Sequence, residues 1–123
     1  MDKIKVLVID DKKIIGDLFD FTLGYKGHDI AVVHNAHDAI EAVKNNVFDI
    51  AFLDIIMPDK DGVAILKDIK EIAPKLPVIM MSGYSVEDKR LKALELGAVT
   101  CLKKPFEMED VKKAVKLAIG KEI

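Results

Sequence analysis

A chain of 123 residues with 50% hydrophobic and 33% charged residues has the size and make-up of one compact domain that buries its own core. Its formal net charge of -2, from 19 basic and 21 acidic residues dispersed along the chain, argues against a nucleic-acid-binding surface, which needs clustered Lys and Arg to neutralise phosphates. With no basic-then-apolar leader, no apolar run near the roughly 20 residues of a membrane-spanning helix, and a lone Cys101 that can close no internal disulfide, the chain is expected to be cytoplasmic.

Apolar blocks of strand length alternate with longer amphipathic stretches, as in repeated strand-helix units wound around a parallel sheet. Five units fit, with strands at about 4–9, 29–33, 49–53, 77–81 and 99–102 and helices at about 12–25, 36–45, 62–73, 86–96 and 107–119. No linker or repeat interrupts them, so residues 1–123 are expected to form a single domain.

The first strand, Val6-Leu7-Val8-Ile9, is apolar on both faces, as a central strand covered by helices on both sides should be. Asp10 and Asp11 follow at once. One aspartate suffices to cap a helix; a second beside it costs repulsion unless a cation is present, and hard oxygen ligands at a sheet edge suit Mg²⁺. The first helix has a core-type face of Ile15, Leu18, Phe19 and Thr22, plus a surplus apolar flank of Ile14, Phe21 and Tyr25. That flank either broadens the buried face or leaves Ile14 exposed beside the acidic pair as a docking spot. Gly27 reads as a helix C-cap. His28, His34 and His37 show no ligand spacing, read as solvated or turn histidines, and receive no role. The second helix, with Ala39, Ile40 and Val43 on one face, reads as scaffold.

In the third unit the apolar block Ile50 to Leu53 delivers Asp54 to the C-terminal end of a strand, and Pro58 and Gly62 punctuate the loop that follows. In an open parallel sheet that end is where ligands bind. Taken alone, Asp54 reads first as an ordinary cap or turn carboxylate. The third helix, with Val63, Leu66 and Ile69, stops at Ala73-Pro74. The fourth strand, Pro77 to Met81, uses its paired methionines as core filler. Ser82-Gly83 then offers a small hydroxyl and a position without a side chain, beside the competing reading of a plain turn. After the last strand, Val99 to Leu102, Lys104 precedes Pro105. It is either surface decoration or, with a cis Lys-Pro bond, a side chain fixed against the sheet end. If all strands run parallel, three carboxylates and one ammonium converge on one edge.

Together, Asp10-Asp11, Asp54 in Leu53-Asp54-Ile55-Ile56-Met57-Pro58, Gly62, Ser82-Gly83 and Lys104-Pro105-Phe106 resemble the receiver domain of bacterial two-component response regulators, over essentially the whole chain. The closing stretch Gly97 to Phe106 is most similar to single-domain regulators of the sporulation-phosphorelay or chemotaxis kind. The resemblance implies a doubly wound, flavodoxin-like α/β fold with five helices and strand order 2-1-3-4-5. It also implies that Asp54 accepts a phosphoryl group from the phosphohistidine of a sensor histidine kinase or a histidine phosphotransfer protein. By the same likeness, Asp11 and Asp54 hold Mg²⁺ directly, Asp10 acts through water, and the Ile56 carbonyl completes the set. Ser82 would hydrogen-bond the phosphoryl group and Lys104 would pair with its charge. Such a protein is a phosphoacceptor that promotes its own phosphorylation and dephosphorylation rather than an enzyme with a separate substrate. It is expected to be a monomer that signals to a downstream protein. The chemistry is coherent, since phosphoryl transfer mostly needs alignment and charge neutralisation around the nucleophile.

Two positions depart from the family pattern. Lys12 follows the acidic pair where Glu is frequent, and Cys101 stands where an aromatic usually swings inward on phosphorylation. A thiol is too short for that movement, so weaker switching of the last helices is expected unless Tyr84 takes part. Other readings are a non-phosphorylated pseudo-receiver acting as a binding module, a flavin-binding protein, and a metal-dependent phosphatase. The intact Asp10, Asp11, Asp54, Ser82 and Lys104 argue against the first, and the acidic loop after the first strand would repel the phosphate of a flavin. The phosphatase would want two aspartates one residue apart, whereas here they are adjacent.

Overall fold

The structure, a computed structural model, describes residues 3–83 and 86–123. Its elements in chain order are β1 (Lys5–Ile9), α1 (Lys13–Phe19) continuing into a π-helical turn (Asp20–Gly24), β2 (Asp29–Val33), α2 (Ala36–Asn45), β3 (Ile50–Asp54), α3 (Gly62–Ile72), β4 (Val78–Ser82), α4 (Glu87–Glu95), β5 (Thr100–Lys103) and α5 (Met108–Ile119). The strands form one parallel sheet in the order β2-β1-β3-β4-β5. None of the described helices is long and apolar enough to cross a membrane.

The strand sequences dictate two core layers, because alternate side chains point to opposite faces. Leu7, Ile9 and Leu53 face α2, α3 and α4, where Ala39, Ile65, Leu66, Ile69 and Ala93 close the layer. Val6, Val8 and Phe52 face α1 and α5, packing with Phe19, Leu23, Val111 and Val115. Phe19 lies 4.8 Å, centroid to centroid, from Phe52. Burying a ring of that size contributes about 1.5–3 kcal/mol, so this contact seats α1 on the sheet.

The first helix differs from its expected form. It leaves α geometry after Phe19, and the N–H of Tyr25 donates to the carbonyl of Asp20 at 3.0 Å, a five-residue step. Thr22, expected in the core face, is half-buried and donates its hydroxyl to the Leu18 carbonyl at 2.6 Å. Leu23 takes the buried place instead, in the same core layer as Phe19. Gly27 ends the segment with φ of 98°, as expected of a cap.

His28 is not solvated: it is only 5% exposed. Its Nδ1 accepts from the N–H of Ile4 at 3.1 Å, tying the start of β1 to the approach to β2, while its Nε2 has no partner among the described residues. Burial first, then the positive charge of Lys26, hold this imidazole below its usual pKa. A histidine kept neutral by the fold contributes stability that is fully present above its unfolded value of about 6.5. That contribution is lost as pH falls from there through the lowered folded value. His28→Asn, which keeps an acceptor near the Nδ1 position without titrating, should therefore show a flatter urea-midpoint profile than wild type between about pH 7.5 and 5. Parallel profiles would disprove this account.

Candidate functional site

The register Ile9↔Leu53, Leu53↔Met80 and Ser82↔Lys103 brings the C-terminal ends of β1, β3, β4 and β5 to one edge of the sheet. Asp54 and Ser82 are the last residues of β3 and β4, and Asp10 and Lys104 directly follow β1 and β5. Lys104 Nζ donates to Asp10 Oδ2 at 2.7 Å and to Asp54 Oδ2 at 3.2 Å. Asp10 is fully buried and Asp54 is 2% exposed. Asp11 is exposed and pairs at 3.5 Å with Lys12, a surface contact of small energetic weight.

Neither member of the acidic pair caps α1. Lys12 holds the N-cap position with no side-chain cap bond, and Asp10 Oδ1 instead accepts the N–H of Lys12 at 2.9 Å. The pair is thereby released from the structural task one aspartate could have filled. Asp10, Asp11 and Asp54 each offer an oxygen, and the three lie within 4.8 Å of one another. Three hard carboxylate donors facing one ammonium suit a hard divalent cation such as Mg²⁺ in both charge and ligand type.

Burial, and next the charge of Asp10, push the Asp54 carboxyl above the usual carboxylate range, while the N–H of Ile56 on Oδ1 at 3.1 Å and the Lys104 ammonium act the other way. For Lys104 burial would favour the neutral amine, but its bonds to Asp10 and Asp54 prevail and hold the ammonium above its usual range.

The loop from Ile55 to Asp61 is pinned to the sheet end. The N–H of Ile55 donates to the Met81 carbonyl at 2.9 Å, and the N–H of Gly62 donates back to the Ile55 carbonyl at 2.8 Å. A Cβ at Gly62 would stand 2.3 Å from the Asp54 carbonyl oxygen, so only glycine allows this approach. The other two loop carboxylates serve helix ends. Both oxygens of Asp59 receive the N–H of Ala36, at 3.1 and 3.0 Å. Asp61 caps α3 through the N–H of Val63 at 2.8 Å and pairs with Lys89 of α4 at 2.6 Å.

Ser82 is buried, and its carbonyl accepts the N–H of Lys104 at 2.6 Å. The Lys104-Pro105 bond is cis. A groove of about 580 Å³ opens over the cluster, with Asp54 and Lys104 in its floor and Ile14, Ile56, Pro105 and Phe106 in its walls. Ile14 is 72% exposed; Phe21 and Tyr25, further along the same helical segment and lining a separate cavity, are 83% and 89% exposed. Cys101 is half-buried against the α2–α3–α4 layer, and burial pushes its thiol up, which keeps it in the unreactive protonated form. Tyr84 lies outside the described residues.

One neighbour of the cluster had no signal in the sequence. His34 Nδ1 lies 2.9 Å from the main-chain carbonyl of Asp10. The contact spans 24 residues and exists only because β2 runs beside β1.

The family model of the response regulator receiver domain matches residues 6–116. The transcriptional regulatory protein ZraR of Salmonella typhimurium is 32% identical over 118 residues, which cover 96% of this chain but 27% of that relative. A two-component response regulator from Clostridium difficile superposes with a TM-score of 0.90 at 29% identity, covering 97% of this chain and 98% of that one. A CheY-like receiver domain protein from Methanospirillum hungatei JF-1 superposes with a TM-score of 0.88 at 25% identity, covering 94% and 92%. A sheet in the order 2-1-3-4-5, an acidic edge held by a lysine, and a match from residue 6 to residue 116 converge on one conclusion: the chain belongs to the response regulator receiver domain family.

Proposed function

We propose that this receiver accepts a phosphoryl group on Asp54 from the phosphohistidine of a sensor histidine kinase or phosphotransfer protein. It then works in the cytoplasm as a monomer that signals by protein contact or by onward transfer. The observation that carries this reading is the Asp54 carboxylate itself, withdrawn from water, in hydrogen-bond contact with Lys104, and set in the floor of an open groove. A carboxylate oxygen of Asp54 attacks phosphorus, the P–N bond breaks, and the imidazole leaves with the bond pair. The new group brings a charge of about -1.5 to -2, which the Lys104 ammonium partly offsets. The Ser82 hydroxyl hydrogen-bonds one of its oxygens. Asp11 and Asp54 would hold Mg²⁺ directly, with Asp10 through water and the Ile56 carbonyl completing the protein's share. Mg²⁺, when bound, supplies positive charge that offsets the phosphoryl oxygens.

Incubation with Mg²⁺ and a small-molecule phosphodonor should add one phosphoryl mass increment to the wild-type chain, and Asp54→Asn should abolish it without unfolding the protein. Asp59→Asn and Asp61→Asn should retain the increment. Asp61→Asn alters the cap of α3, an interaction worth roughly 1 kcal/mol. An increment that survives in Asp54→Asn would move the acceptor elsewhere, and none in wild type would leave a pseudo-receiver that only binds.

A cation that binds the folded state alone stabilises it by mass action, about 1.4 kcal/mol at ten times its Kd. Millimolar Mg²⁺ should therefore raise the melting temperature of wild type, and Asp11→Asn should lose most of that rise. An unchanged shift in the variant would show that Asp11 is no ligand.

The exposed Ile14 on the groove wall fits contact with the donor protein's helices. Ile14→Ala should slow transfer from a kinase or phosphotransfer protein while leaving small-donor phosphorylation unchanged; equal losses with both donors would end the docking assignment. Cys101, in place of a mobile aromatic, makes the surface of α4, β5 and α5 a weak responder unless Tyr84 takes over part of that movement. That suits onward transfer better than long-range switching, because a ligand shifts an equilibrium only by its differential interaction with the two states.

A further inference from the structure

Asp10 is held on every polar atom. Its N–H donates to the Val33 carbonyl at 3.1 Å, its Oδ1 accepts from the N–H of Lys12 at 2.9 Å, and its Oδ2 accepts from Lys104 at 2.7 Å. The remaining atom, its main-chain carbonyl, lies 2.9 Å from His34 Nδ1. A carbonyl oxygen can only accept, so Nδ1 is the donor.

That carbonyl belongs to the peptide joining Asp10 to Asp11. A peptide is planar, so fixing the oxygen fixes the direction in which the chain enters Asp11. Asp10 and Asp54 are buried and held by Lys104, whereas Asp11 is exposed and, among the described residues, has no comparable anchor beyond Lys12. The donor is an exposed residue whose backbone is anchored on both sides. His34 follows β2 directly and precedes Asn35, whose side chain accepts the N–H of Asp38 at 2.8 Å as the cap of α2, and the next N–H, of Ala36, is received by Asp59.

We propose that His34 is a positioning residue for the cation site: by holding the Asp10 carbonyl from the end of β2, it aims Asp11 toward Asp10 and Asp54. This rests on reading Asp10, Asp11 and Asp54 as the Mg²⁺ site. The contact is an addition from the edge strand, outside the groups that touch the cation or the phosphoryl group, and it adjusts affinity rather than creating it.

The test is Mg²⁺ titration of the full chain, followed by the amide shifts of Asp11 and Ile56, in wild type, His34→Ala, His34→Asn and His34→Gln. In His34→Ala the freed Asp10–Asp11 peptide must be ordered when the cation binds, at a cost of at most about the lost hydrogen bond, so Mg²⁺ binding should weaken about three- to tenfold. His34→Asn, whose side-chain amide can reach the place of Nδ1, should recover to within about twofold of wild type, and His34→Gln should not. In the metal-free protein, amide hydrogen exchange at Lys12 should quicken in His34→Ala and return in His34→Asn. Wild-type Mg²⁺ affinity in His34→Ala, or equal weakening in the alanine and asparagine variants, would overturn the inference. Failure of wild type itself to saturate with Mg²⁺ would overturn the site reading and this inference with it.

Discussion

The ammonium of Lys104 lies between two carboxylates almost wholly withdrawn from water, and the functional edge of the sheet is arranged around that contact. Two buried anions beside one cation are an unfavourable arrangement taken alone, because desolvating each ion costs several kcal/mol and the net charge stays negative. The raised proton affinity of Asp54 reflects its burial first and the neighbouring charge of Asp10 second. A site left short of positive charge is one that gains by receiving a cation. Lys104 holds the two carboxylates together until then, and with neither cation nor Lys104 the two would repel at close range.

The surrounding framework keeps other charges out of the cluster. Asp59 and Asp61 stand close to Asp54 in sequence, yet both are engaged by helix N-termini, where free N–H groups and the helix dipole favour a carboxylate. Gly62 lets the loop fold back onto the Asp54 and Ile55 backbone, which a Cβ would prevent. The same tight return places Ile56 where its N–H can hold Asp54 Oδ1. The loop thus fixes Oδ1 of Asp54 and leaves Oδ2 to Lys104.

The α1 flank has a different logic. Ile14, Phe21 and Tyr25 are left in water although the helix buries Phe19 and Leu23 well, so their exposure does not come from a poor fit to the sheet. Ile14 belongs to the groove that also contains Asp54 and Lys104. In the proposed phosphoacceptor role, this apolar surface gives the donor protein something to desolvate while it aligns its own reactive atom.

Much of this was legible from the chain alone. Alternating apolar blocks and amphipathic stretches gave five strands and five helices close to their observed limits, because a parallel sheet covered on both faces demands uninterrupted apolar strands. Asp10, Asp54, Ser82 and Lys104 could be placed at one edge because each stands at or just past the end of its strand, and parallel strands share an end. What only the tertiary structure decided depends on partners far away in the chain: the burial of His28 against Ile4, the Asp59 contact with α2, and the hold of His34 on Asp10. The exchange of Thr22 for Leu23 in the core was decided by a local competition, in which the threonine hydroxyl found the Leu18 carbonyl. Hydrophobic period is a property of neighbouring residues and survives in a linear reading, whereas a hydrogen bond across 24 residues exists only once two strands lie side by side.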